Sequence, residues 1–232
     1  NSDAMILLCK VDDPQRFGIA ELDKDNLGKI KKIMEKPKIP PSDLAVIGIY
    51  FLTPKIFKII DKLKPSWRGE LEITEALQLL MDNGCKIEYD TVTGWWKDTG
   101  TPEDIIHANK LVLDSIGTEN QFLIDSDAEI KDNIVVGTGT IIDNDSCIIG
   151  PVIIGKNCII GPGVQLGPYV SVGDNSNLKC CTIQDSIIMR DCNVNANVDF
   201  DSSIISHGSE IMASDIPKKC QLLLGERSQI NL

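Results

Sequence analysis

The sequence predicts an α/β domain followed by a left-handed parallel β-helix built on hexapeptide repeats. Three observations carry that expectation. Every sixth residue from Ile124 is aliphatic through ten positions, glycine and asparagine recur at fixed offsets from that row, and the residues before about 115 alternate between strand-like apolar runs and helix starts.

The aliphatic row is Ile124, Ile130, Val136, Ile142, Ile148, Ile154, Ile160, Leu166, Val172 and Leu178. Ile, Leu and Val fill 66 of the 232 positions, so such a run has a chance probability on the order of 3 in a million. A fixed short period denotes a solenoid. Four residues beyond each aliphatic stands a small or branched residue, from Ala128 through Thr140, Cys158, Val164 and Ser176 to Thr182, which suits an inward position with little room. Gly137, Gly155, Gly161, Gly167 and Gly173 follow the aliphatics directly, and Asn133, Gly139, Asn157, Gly163 and Asn175 stand three after. These residues tolerate the backbone of tight corners. An α-helix would scatter a six-residue row around its axis at about 120° intervals, and a flat sheet would need strict alternation. A three-sided prism with about 18 residues per coil satisfies both patterns; its left-handed crossover is an exception to the usual handedness of parallel connections. The strict phase fails at Gln184, yet Ile187, Ile188, Val194, Val198, Ile204, Ile205 and Ile211 predict further, less regular coils to about Ile211, with Leu222 to Leu224 capping the open end by packing back on the prism or on a neighbouring chain.

In the first half, strands are predicted at 5–11, 17–22, 29–34, 44–52 and 86–92. Helices are predicted after Thr53-Pro54, over 70–81, and from Thr101-Pro102 towards Leu113, where a capping hydroxyl and a first-turn proline mark the starts. The domain boundary is expected at 117/118.

Composition narrows the function. A formal charge of -11, from 34 acidic and 23 basic residues, repels phosphate backbones and anionic lipid, which predicts neither a nucleic-acid nor a membrane partner. No apolar run approaches a membrane span, and no signal-peptide layout is present. A cytoplasmic protein with eight reduced cysteines and no CxxC metal pair is the expectation. The opening Asn-Ser-Asp-Ala-Met reads as a start inside a longer protein.

Several segments carry more. They are Arg16-Phe17-Gly18-Ile19-Ala20-Glu21, Glu35-Lys36-Pro37, Gly48-Ile49-Tyr50-Phe51, the run from Lys64 through Ser66-Trp67-Arg68-Gly69-Glu70-Leu71-Glu72-Ile73-Thr74, and Gly94-Trp95-Trp96-Lys97-Asp98-Thr99-Gly100. In order and spacing they resemble the sugar-phosphate nucleotidylyltransferase family, in its long-form glucose-1-phosphate thymidylyltransferase branch. The ending Leu224-Gly225-Glu226-Arg227-Ser228 extends that resemblance over nearly the whole chain.

The resemblance implies a Rossmann-like nucleotidyltransferase portion over 1–117, a β-helix domain over 118–232, and a Mg²⁺-dependent reaction. The phosphate of glucose 1-phosphate attacks the α-phosphorus of dTTP, giving dTDP-glucose or a related product and pyrophosphate. It implies that Lys36 and Arg68 meet phosphate, that Glu35 accepts hydrogen bonds from sugar hydroxyls, that Gly18 lets the sugar approach, and that Asp98 is a magnesium ligand. It also places the glycine-rich nucleotide loop and a first metal-binding aspartate in a portion these residues do not contain, so the chain alone is expected to be inactive. The partners implied are a sugar 1-phosphate, a nucleoside triphosphate and further copies of the chain. Outward-facing Ile141, Ile149, Ile153 and Ile159 independently predict a homo-oligomer through the β-helix. Trp95 and Trp96 read as packing residues, and His107 as a surface or packing residue. Two other readings stay open: an acyltransferase using His207 as base, and a non-catalytic regulatory or structural subunit.

Overall fold

The computed structural model describes residues 2–24, 28–116, 129–143, 145–212 and 218–231. Ile124 and Ala128, with which the repeat was expected to begin, and the predicted 117/118 boundary lie outside them. The chain forms two compact units, Asn1–Trp96 and Lys97–Leu232. Residues 97–116 thus fall in one unit with the β-helix.

The first unit is a five-stranded sheet of β1 (Ala4–Lys10), β2 (Gly18–Leu22), β3 (Ile30–Glu35), β4 (Leu44–Leu52) and β5 (Ile87–Thr91), in the order β3-β2-β4-β1-β5. Only β1 and β5 run parallel. Alternation along β1 sends Ala4, Ile6 and Leu8 to one face, where α1 (Lys55–Ile60) contributes Ile56 and Ile59, and α2 (Ile73–Asp82) contributes Ala76, Leu77 and Leu80. Cys9, Ile19, Ala45 and Ile47 form a smaller cluster with Phe17 and Trp96.

Two helix starts differ from expectation. The predicted helix at Glu70 begins at Ile73, because Ser66 N–H donates to Glu70 O at 2.8 Å and Gly69 takes a φ of +78°, closing a turn over 66–70. Thr53 does not cap α1 with its side chain; its carbonyl accepts from Ile56 N–H at 3.1 Å, while the buried hydroxyl has no partner.

In the second unit α3 (Pro102–Asp114) starts where Thr101 Oγ1 accepts from Asp104 N–H at 3.2 Å, as its sequence predicts. The prism follows. One face stacks Ile134–Val136, Val152–Ile154, Val170–Val172, Ile187–Ile188 and Ile204–Ile205 in parallel. A second carries Ile142, Ile160, Leu178, Val194, Ile211 and Ile230 in register, and a third carries Ile130, Ile148, Leu166, Ile183, Phe200 and Cys220.

The first coils advance by 18 residues, Ile142 to Ile160 to Leu178. The phase then breaks for a local reason. Ile160 reaches the next inward residue, Val164, through a corner at Gly161-Pro162-Gly163, whereas Leu178 reaches Cys181 through Lys179 and Cys180 alone. That corner is one residue shorter, so Ile183 rather than Gln184 points inward, and Cys181 rather than the expected Thr182 takes the small inward position. The small inward residues are not merely fillers. Thr140 Oγ1 accepts from Cys158 N–H at 3.0 Å and Ser176 Oγ from Cys192 N–H at 3.2 Å, which pairs corner amides that the ladders leave over. Corner glycine matters most at Gly167, where φ is +101° and an added Cβ would stand 1.7 Å from Ile149 O. The final coil is the expected cap: Leu222 and Leu224 pack on the prism core, and Leu224 N–H donates to Ile204 O at 2.9 Å.

Candidate active site

The first unit gathers its charged residues at one place. Arg68 sits on the loop between α1 and α2, and its guanidinium lies 3.5 Å from Glu35 Oε1, 3.3 Å from Glu72 Oε1 and 2.9 Å from Glu70 Oε2. Glu35 closes β3, and its other carboxylate oxygen accepts from Thr74 Oγ1 at 2.8 Å. Ser66 completes the frame: its hydroxyl donates to Glu72 Oε1 at 3.0 Å and accepts from Arg68 N–H at 3.1 Å. Glu35 and Glu72 side chains keep only 14% and 9% of their exposure, against 58% for Glu70. The inner two are buried against the frame and the outer one is exposed.

Gly18, on β2 opposite Glu35, makes this frame fit. A Cβ there would stand 2.4 Å from Thr74 Cγ2 and 3.2 Å from Glu35 Oε2. The missing side chain of Gly18 is therefore the space that Thr74 uses to reach Glu35. Tyr50, half-buried on β4, has its phenol pKa raised by burial and by the negative charge of Glu35. It stays a neutral hydrogen-bond donor at ordinary pH.

Lys36 follows directly. Its φ is +38°, unusual for a side chain with a Cβ and disfavoured again by Pro37 after it. Lys36 N–H donates to Phe17 O at 3.0 Å, which holds that conformation. Its ammonium forms no ion pair with another described residue. A groove of about 490 Å³ lies against Glu35, bounded by Ile33, Met34, Lys64, Trp67 and Gln78. Sheet pairing and loop closure thus bring Gly18, Glu35 and Arg68 together, with Lys36 next in the chain.

Asp98 belongs to the second unit. Its carboxylate is half-buried, makes no hydrogen bond or ion pair with a described residue, and lies 3.2 Å from where a Cβ of Gly100 would stand. That suits a hard oxygen ligand. Among the described residues no group of three or more His, Cys, Asp or Glu side chains could hold a metal. Among the described residues no helix is long and apolar enough to cross a membrane.

Sequence reasoning did not single out Thr74, Glu72, Ser66 or Tyr50 as site residues. The first three lie in the segment from Ser66 to Thr74, but the Thr74 to Glu35 bond spans 39 positions and only the fold reveals it. Of the other residues weighed from sequence, Trp96 packs edge-on against Phe17 at 5.6 Å, while Trp95 is 55% exposed and His107 exposed. His207 Nδ1 lies 3.1 Å from Arg190 O and 3.3 Å from Asp191 Oδ2, engaged at a prism corner.

Comparison with known proteins found matches over nearly the whole chain. Residues 1–115 match the nucleotidyl transferase family model, and residues 148–231 match that of the GMPPB C-terminal domain. The low-salt glycan biosynthesis nucleotidyltransferase Agl11 of Haloferax volcanii is 46% identical over 99% of this chain and 64% of its own length. A glucose-1-phosphate thymidylyltransferase of Streptomyces antibioticus is 37% identical over the same shares. The bifunctional protein GlmU of Methanocaldococcus jannaschii is 37% identical over 94% of this chain and 58% of its own length. The chain therefore spans somewhat under two thirds of the relatives it matches. Its residues 1–115 belong to the nucleotidyl transferase family.

Proposed function

We propose that this chain supplies the sugar-phosphate side of a sugar-1-phosphate nucleotidylyltransferase that makes dTDP-glucose or a related nucleotide sugar. The observation that carries the reading is the clamp of Arg68 by Glu35 and Glu72, built around Thr74 and Gly18. A guanidinium held on one edge keeps its remaining donors in a fixed fork, which matches a phosphate better than a free side chain does. Glu70, the exposed partner on Nη2, is the group an incoming phosphate displaces.

The reaction needs little covalent chemistry from the protein. A phosphate oxygen of the sugar 1-phosphate forms a bond to the α-phosphorus of the nucleoside triphosphate, the bond from that phosphorus to the α,β-bridging oxygen breaks, and pyrophosphate leaves with the electron pair. Positioning and charge neutralisation do the rest. Three carboxylates around one guanidinium leave the cluster formally negative, so Arg68 alone attracts a dianion poorly. Lys36, whose ammonium is uncommitted among the described residues, supplies the missing positive charge, and Glu35 accepts from sugar hydroxyls. Mg²⁺, with Asp98 as one ligand, would neutralise charge on the triphosphate when bound.

The experiment is pyrophosphate release by the full-length gene product from dTTP and glucose 1-phosphate, with other nucleotide and hexose pairs beside it. Lys36→Ala or Asp98→Asn should each lower turnover about 100-fold or more, because each removes a charge aimed at the reacting phosphates. Near-normal turnover of either variant removes that residue from the site. We further propose that the β-helix mediates self-association: Ile141, Ile159 and Ile149 are 65%, 45% and 38% exposed on its outer faces.

A further inference from the structure

We propose that α3 is a strut through which the prism positions Asp98, with Lys110, Tyr169 and Asp185 as positioning residues. The inference rests on the reading of Asp98 as a site residue. Everything it uses lies within the second unit.

At its start α3 grips the segment that bears Asp98. Lys97 Nζ lies 2.7 Å from Asp104 Oδ1, both side chains largely buried at 24% and 10% exposure. Thr101 Oγ1 donates to Asp104 Oδ2 at 2.8 Å and accepts from Asp104 N–H at 3.2 Å. Asp98 sits between Lys97 and Thr101, so both flanks of its short segment are tied to one residue of the helix.

At its other end α3 is tied to the prism. Lys110 Nζ lies 2.7 Å from Asp185 Oδ1 and 5.3 Å from the centre of the Tyr169 ring. Ser171 Oγ donates to Asn109 Oδ1 at 2.6 Å, and Asn109 Nδ2 donates to Tyr169 O at 3.4 Å. The Tyr169 phenol hydrogen-bonds to Asp114, which raises its pKa. Tyr169 holds a φ of +61° and Asp185 one of +48°, left-handed conformations that residues with a Cβ rarely adopt. Each is held there by a bond to a neighbouring coil, Tyr169 N–H to Pro151 O at 2.9 Å and Asp185 N–H to Pro168 O at 3.0 Å. Two neighbouring coils thus present unusual corners to the same helix turn, and polar groups on that turn meet them.

A helix is stiff along its axis, and α3 is about 20 Å long at 1.5 Å per residue. Loosening its prism end therefore lets its first turn, and with it the Asp98 segment, shift. Small misplacements of a reacting group lower turnover without lowering affinity for a substrate held elsewhere.

The test uses the full-length gene product, with amide hydrogen exchange and steady-state kinetics as separate readouts. Asp185→Asn and Lys110→Met should each speed exchange of the 97–104 amides by about threefold or more, since local opening sets that rate. They should lower kcat about tenfold, with KM for glucose 1-phosphate within about twofold of the parent. The charge-swapped pair Lys110→Asp with Asp185→Lys should restore both. Faster exchange over 109–114 with unchanged exchange over 97–104 overturns the strut, whatever happens to turnover. If Asp98→Asn keeps full turnover, the assignment of Asp98 has failed, and the exchange result still decides whether α3 transmits. Should Lys110→Met unfold, shown by far-ultraviolet circular dichroism, the nearly isosteric Asp185→Asn decides alone.

Discussion

Replacing Gly18 by alanine tests the frame of the site through a single methyl group. Gly18 is buried on β2 and its backbone lies outside the left-handed region, so alanine there meets no conformational objection. The cost comes from space. The new Cβ would stand 2.4 Å from Thr74 Cγ2, over an ångström inside the ~3.5–4.0 Å separation of non-bonded carbons. Thr74 is 3% exposed in the first turn of α2 and cannot swing away without giving up Glu35. Overpacking of this kind costs about 1–3 kcal/mol, roughly 4–8 °C in Tm per kcal/mol for a unit of this size. Thr74→Ser removes the offending methyl and keeps the hydroxyl that donates to Glu35. Alone it should destabilise by about 0.5–1.5 kcal/mol for a lost buried methyl. In the Gly18→Ala background it should instead recover most of the loss, a favourable coupling above ~1 kcal/mol. Urea unfolding of the four proteins, followed by tryptophan fluorescence, measures the cycle. Additive effects, or a neutral Gly18→Ala, would refute the view that this glycine exists to seat Thr74 against Glu35.

Three further outcomes are expected. Light scattering of the chain at micromolar concentration should give at least twice 25.5 kDa, because burying Ile141 and its cross-coil partner Ile159 against another subunit stabilises by about 1.5–3 kcal/mol each; a monomer that Ile141→Asp with Ile159→Asp leaves unaltered would show that this face is not an interface. Thiol titration should find all eight cysteines in denaturant, with exposed Cys180 reacting first in the native state. The Cys181 pKa is pushed up to about 12 by burial and then by the neighbouring Cys180 thiol, so above pH 9 the unfolded state sheds a proton that the folded state keeps. Stability should then fall by up to ~1.4 kcal/mol per pH unit between 9 and 12; equal slopes for the parent and Cys181→Ala would exclude that thiol as a cause.

The sequence by itself determined the prism, because a solenoid's inward row repeats along the chain and each coil meets only its neighbours. Ile130 to Leu178 are inward-facing as their period requires, and Leu222 and Leu224 do cap the core. The five strands of the first unit were legible to within about a residue from alternation and turn residues, and α3 from Thr101-Pro102. Tertiary structure decided what depends on partners distant in sequence or on one residue of loop length. Shorter corners at Cys180, Asp185 and Ser202 each moved the inward row by one residue, and the turn closed by Gly69 delayed α2 by three residues. The residues that resemble a phosphate site could be named from their motifs, but that Glu72 and Thr74 hold them, and that α3 packs with the prism, follows from side chains meeting across the fold. Periodicity is a local property that a sequence carries in full; a clamp built from Gly18, Glu35, Arg68 and Thr74 exists only once a strand pair and a loop have brought them within hydrogen-bond reach.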